Sequence, residues 1–93
     1  MTKDNNDIYS EDIKLERAKN NYISLSYFFE NNLMVHFSTY DSGWKNGTIL
    51  KLDKENLSIT IQERFEGIKS YPLHNIVTRS IDVFKERVKW YTE

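Results

Sequence analysis

Short runs of alternating apolar and polar residues fill the chain from Leu33 to Val83, and this period of two constrains the fold more than any other feature. Successive side chains of a strand point to opposite faces, so the alternation predicts half-buried strands. The clearest run is LSITIQER (57–64), which places Ile59 and Ile61 on one face and polar residues on the other. Turn residues separate the runs. We predict five strands, at 33–40, 44–53, 57–64, 68–73 and 76–84.

Two residues inside these runs indicate a strongly bent sheet with open edges. Gly47 interrupts the second run, and a glycine at such a position suits a β-bulge or a sharp bend. Pro72 has no amide hydrogen to donate, so it belongs at an edge or at the end of the fourth strand. The predicted fold is mainly β: a five-stranded, strongly bent antiparallel sheet of the Sm-like or SH3-like barrel type.

A helix is predicted before the sheet, over residues 10–31. Ser10 followed by Glu11 and Asp12 is a typical helix start, because the hydroxyl caps free amides and acids favour the positive end of the dipole. One apolar stripe at helical spacing follows: Leu15, Ala18, Tyr22, Leu25 and Phe29. Residues 22–29 also alternate with strand periodicity and are rich in aromatic residues. Helix and strand both remain open for that segment.

The ends of the chain carry weaker patterns. Residues 1–9 are polar and aperiodic, which indicates a disordered leader, and residues 10–93 are predicted to form a single domain with a barrel at 33–83. In the tail, 84–93, apolar residues are spaced by four and three. This tail is consistent with a short C-terminal helix or with a strand that runs on.

Composition excludes several classes of function. With 13 Lys and Arg against 14 Asp and Glu, the net charge of −1 lacks the basic excess typical of nucleic-acid binding by a monomer. Cysteine is absent, which excludes disulfides and thiolate catalysis. No motif for a nucleophile, a phosphate loop, a metal or a cofactor is present, so we predict no enzyme activity, no metal site and no cofactor. The polar N-terminus and the lack of a long apolar run predict a cytoplasmic protein that does not enter a membrane.

The stretch LSYFFENNLMVHFSTYDSGWKNGTILKLDKENLSI (25–59) resembles the first motif of the Sm and LSm proteins. The matching residues are Leu33, Val35 and Phe37 in the strand, then Gly47, Ile49 and Asp53 at the family's spacing. IKSYPLHNIVTRSI (68–81) resembles the second motif, with a corner at 73–76 that is similar to the Tyr-x-His corner of bacterial Hfq. A weaker resemblance is to the YolD-like proteins. Two departures are evident: Asn56 follows Asp53 by three residues where the family usually has four, and His74-Asn75 replaces Arg-Gly.

The resemblance implies a non-catalytic RNA-associated protein that assembles through its edge strands into a homo- or hetero-oligomer. The RNA-binding residues it implies are Asp53, Asn56, His74, Asn75 and Arg79. Asp53 and Asn56 also fit an ordinary solvated hairpin turn. The alternative function is a protein–protein interaction adaptor on the same barrel, which would use the aromatic residues near turns, Tyr40, Trp44 and Phe65, without nucleic acid.

Overall fold

The computed structural model describes residues 10–85, in which one helix precedes a five-stranded antiparallel sheet. This confirms the predicted fold class, although the sheet is not closed. In chain order the elements are α1 (Glu11–Glu30), β1 (Val35–Thr39), β2 (Gly43–Asp53), β3 (Ser58–Glu63), β4 (Gly67–Pro72), 3₁₀ turns at Leu73–Asn75 and Thr78–Ser80, and β5 (Asp82–Val83). The strand order is β4-β3-β2-β1-β5. The predicted leader, 1–9, and a C-terminal helix beyond residue 85 lie outside the described residues.

Helix α1 includes the segment 22–29 that the sequence left open. The Ser10 hydroxyl accepts a hydrogen bond from the Ile13 amide at 3.3 Å, which is the predicted N-cap. Ala18 and Leu25 are buried in the core, as the stripe predicts. The ends of the stripe lie at the surface, because Leu15 and Phe29 are 45% and 40% exposed. The helix therefore packs through its middle turns.

Strand β2 joins the two halves of the sheet, and Gly47 is the junction. Gly47 pairs with Val35 of β1 on one side and with Glu63 of β3 on the other. A Cβ atom at this position would overlap the backbone carbonyl of Gln62. The predicted bulge is displaced, because the register shift lies between Ile49 and Lys51. Position 47 therefore requires glycine because the backbone of β3 at Gln62 lies so close to it, and not because a bulge lies there.

The core lies between the buried face of the sheet, the helix and the segment that follows β4. Ile59 and Ile61 are fully buried, which confirms the inward face predicted for the third run. The other buried apolar residues are Ala18, Leu25, Val35, Phe37, Ile49, Leu73 and Ile76.

The predicted fifth strand, 76–84, is wrong in extent. Only Asp82–Val83 forms a strand, together with an isolated bridge between Ile76 and Thr39. The Ser80 hydroxyl accepts from the Ser38 amide at 2.8 Å and donates to a backbone carbonyl. Side-chain hydrogen bonds thus replace part of the backbone pairing between this segment and β1. Between the Ile76 bridge and β5, the backbone forms the 3₁₀ turn at Thr78–Ser80.

Candidate functional site

The 3₁₀ turn at Leu73–Asn75 brings two distant turns of the sheet together. At its start, the Leu73 amide donates to the Leu57 carbonyl at 2.9 Å, next to the β2–β3 turn. At its end, the Asn75 carbonyl accepts from the Tyr40 amide at 2.9 Å, next to the β1–β2 turn. Five of the residues singled out in the sequence lie along this connected path. We call them the corner surface: Tyr40, Asp53, Asn56, His74 and Asn75.

Asn21 of the helix attaches this turn to the fold. Its side chain is fully buried, and its Nδ2 donates to the carbonyls of Leu73 at 2.8 Å and Ile76 at 2.9 Å. Its Oδ1 accepts from the Thr78 hydroxyl at 2.7 Å. Sequence reasoning missed Asn21. Its position on the buried side of the helix could have revealed it, because a buried amide needs hydrogen-bond partners inside the protein.

Asp53 holds Asn56 in a fixed orientation at one end of the corner surface. Its two carboxylate oxygens accept from the Asn56 backbone amide at 2.9 Å and from Asn56 Nδ2 at 3.0 Å. These two hydrogen bonds hold the pKa of Asp53 below its usual value, and the bond from the backbone amide has the larger effect. The charge of Lys51, whose Nζ lies 3.7 Å from Oδ2, also lowers this pKa. The Asn56 amide is exposed. Its Oδ1 accepts no hydrogen bond from residues 10–85 and is available as an acceptor.

At the other end, polar contacts hold the side chains beside His74. Asn75 Nδ2 donates to Asp41 Oδ1 at 2.8 Å, and this bond is the main cause that lowers the pKa of Asp41. Arg17 donates to the His74 carbonyl at 2.9 Å, and its guanidinium lies 4.7 Å from the centre of the Tyr40 ring. The Tyr40 ring, 55% exposed, is thus positioned by a cation–π contact.

Three of the predicted residues lie away from the corner surface. Arg79 is exposed on the second 3₁₀ turn. Phe65 is 88% exposed in the β3–β4 turn, where the Arg64 guanidinium lies 5.3 Å from its ring centre. Trp44 lies at the start of β2, where its ring stacks on His36. Of the five residues that the resemblance implies for RNA binding, Arg79 alone lies outside the corner surface.

Glu63 lies at the charged end of the run 57–64, yet it is buried. It is only 7% exposed and accepts a hydrogen bond from the Tyr71 hydroxyl. Burial, and then the nearby Glu63 carboxylate, raises the pKa of Tyr71 above the usual tyrosine value. The signal was present, because Glu63 continues the inward phase of Ile59 and Ile61.

Comparison with known proteins assigns the chain to no family: no family model, curated protein or solved structure matches it. Within residues 10–85, no group of His, Asp and Glu side chains is placed to hold a metal ion. The α-helix in this range is not long and apolar enough to span a membrane. Function is therefore inferred from the geometry of the corner surface.

Proposed function

We propose that this chain is a non-catalytic, Sm-like RNA-associated protein of the cytoplasm, which acts as an oligomeric scaffold and binds RNA through the corner surface. The observation that carries the proposal is the hydrogen bond between the Leu73 amide and the Leu57 carbonyl. It places the β2–β3 turn, with Asp53 and Asn56, beside the turn that carries His74. The two sequence segments that resemble Sm motifs thereby contribute to one surface.

Asn56 supplies the recognition chemistry. An amide offers both an acceptor and a donor, which suits the Watson–Crick edge of an unpaired base such as uracil. Asp53 already orients this side-chain amide by accepting from its Nδ2, and it also accepts from the Asn56 backbone amide, so less side-chain entropy is lost when RNA binds. His74 lies on the 3₁₀ turn that follows β4, and Tyr40 lies at the far end of that turn; both offer rings for stacking.

Association of subunits compensates for the low charge of each one. With a net charge of −1, a single chain gains little from phosphate contacts. Strands β4 and β5 are the edges of the sheet, and an edge strand can pair with another chain. Pro72 limits pairing at the end of β4, because it has no amide hydrogen. An oligomer would present several corner surfaces to one RNA and convert weak contacts into useful avidity.

The test combines solution mass with titration of fluorescently labelled oligo-U and oligo-A at low and moderate salt. We expect an oligomer that binds at least one of the two RNAs. Asn56→Ala and His74→Ala should each weaken binding by roughly fivefold to tenfold, the effect of one lost hydrogen bond or stack. Asn20→Ala is the matched control, because Asn20 is an exposed amide on the helix outside the corner surface. A monomer that binds neither RNA at low salt would refute the proposal.

The adaptor remains a second candidate because two large apolar side chains are exposed beside the β4 edge. Phe65 is 88% and Ile68 is 63% exposed, and aromatic anchors of this kind favour protein interfaces. If the chain is an adaptor, we expect that neither RNA binds. Peptides selected from a random library for binding to the protein should then lose affinity for the double variant Phe65→Ser, Ile68→Ser and keep it for Asn56→Ala. Peptides that bind both variants equally would exclude this surface.

A further inference from the structure

Helix α1 presents apolar side chains to solvent as well as to the core. Ile23 is 69% exposed, and helical spacing places it on the side of α1 opposite to Ala18 and Leu25, which are buried. Leu15, two turns earlier, is 45% exposed. A helix that packs on a core through one side normally carries polar residues on the other. The outer side of α1 therefore has the composition of a contact surface.

Two adjoining clefts form one groove along this outer side, because Lys19 and Ile23 line both of them. The first cleft, of about 500 Å³, extends towards the start of the helix and includes Asp12 and Glu16. The second, of about 410 Å³, extends to Lys54 in the β2–β3 turn. We call this surface the helix groove: Asp12, Glu16, Lys19, Ile23 and Lys54. None of these residues belongs to the edge strands β4 and β5.

The charges of the helix groove are divided between its two ends. Asp12 and Glu16 make one end acidic, and Lys19 and Lys54 make the other end basic. None of these four side chains forms an ion pair within residues 10–85. A surface with one acidic and one basic end becomes complementary to itself after a half-turn. A second copy of the chain therefore fits both ends, whereas a partner of uniform charge would be repelled at one of them.

We infer that two copies of the chain pair through their helix grooves, with the two α1 helices antiparallel about a twofold axis. Residues three apart share one side of a helix, so an axis between Glu16 and Lys19 sets each Glu16 against the partner's Lys19. The same rotation carries Asp12 to the basic end of the partner's groove and covers Ile23. This interface adds to the edge pairing of the proposed function and does not depend on RNA binding.

Charge reversal, read by sedimentation equilibrium of the full chain without RNA, tests this interface. Glu16→Lys and Lys19→Glu each replace two attractions by two repulsions, so each should weaken association by roughly tenfold or more. An equimolar mixture of the two variants should associate again, because every acid at these positions then faces a lysine. The double variant Glu16→Lys, Lys19→Glu should associate like the natural chain. Added salt should weaken association of the natural chain.

The controls separate the helix groove from the edge strands. Glu30→Lys makes the same charge change at an exposed position of α1 outside the groove and should leave association unchanged. Ile23→Gln keeps a good helix former and should weaken association with an unchanged circular dichroism spectrum. An oligomer that neither Glu16→Lys nor Lys19→Glu weakens, or a mixture that does not associate again, would overturn the helix interface and leave edge pairing possible. A natural chain that stays monomeric would refute both interfaces.

Discussion

Replacement of Asn21 by alanine should destabilise the fold by about 2–4 kcal/mol. The substitution removes three hydrogen bonds, two to the carbonyls of Leu73 and Ile76 and one from the Thr78 hydroxyl. A neutral hydrogen bond contributes a net of roughly 0.5–1.5 kcal/mol. The Leu73 carbonyl keeps its bond from the Ile76 amide, whereas the Ile76 carbonyl loses its partner, which adds to the cost. Asn21→Asp should destabilise further, because a carboxylate cannot donate to either carbonyl.

Urea denaturation followed by far-UV circular dichroism measures this loss. Thr78→Val removes only one of the three hydrogen bonds, so we expect it to lower the free energy of unfolding by about 1 kcal/mol. Asn20→Ala, the neighbouring exposed amide, should change it by less than about 0.5 kcal/mol. The reasoning is refuted if Asn21→Ala lowers the free energy of unfolding by no more than Thr78→Val does, since the two carbonyl contacts would then contribute nothing.

The remaining predictions concern the junction and the buried acid of the sheet. Gly47→Ala should prevent the native pairing of β2 with β3, because its Cβ would overlap the Gln62 carbonyl; a cooperative urea transition at the native midpoint would contradict this. Glu63→Gln should lower the pKa of Tyr71 towards the usual tyrosine value, as measured by tyrosine absorbance at alkaline pH. Because the pKa of Tyr71 is raised in the folded state, its contribution to stability is full below about pH 10 and declines at higher pH, and Glu63→Gln should reduce that decline.

Local patterns in the sequence were sufficient for most of the secondary structure. The Ser10 cap and the helical stripe predicted α1, and the alternation around Ile59 predicted β3 with its correct inward face. These predictions succeeded because capping and amphipathic burial depend on residues that are close in the chain. The fifth strand was overestimated because the bonds that shorten it, such as that between the Ser38 amide and the Ser80 hydroxyl, join residues 42 positions apart.

The candidate site was only partly predictable for the same reason. The sequence singled out Asn56 and His74, but only through a resemblance to known motifs. It also grouped Arg79 with them, which the structure places on a separate 3₁₀ turn. The buried state of Glu63 could have been read from the phase of its strand, yet its partner, Tyr71, depends on the pairing of β3 with β4.

By itself, the sequence determined that the chain forms a capped helix and short alternating strands, since those patterns act over a few residues. Only the tertiary structure decided that the β2–β3 turn lies against the turn after β4, and that Asn21 holds the latter to the helix. The hydrogen bonds responsible span 16 positions from Leu57 to Leu73, the difference of their numbers, and 52 positions from Asn21 to Leu73. Such bonds form only where the chain has already folded back, so their partners cannot be read from a local pattern.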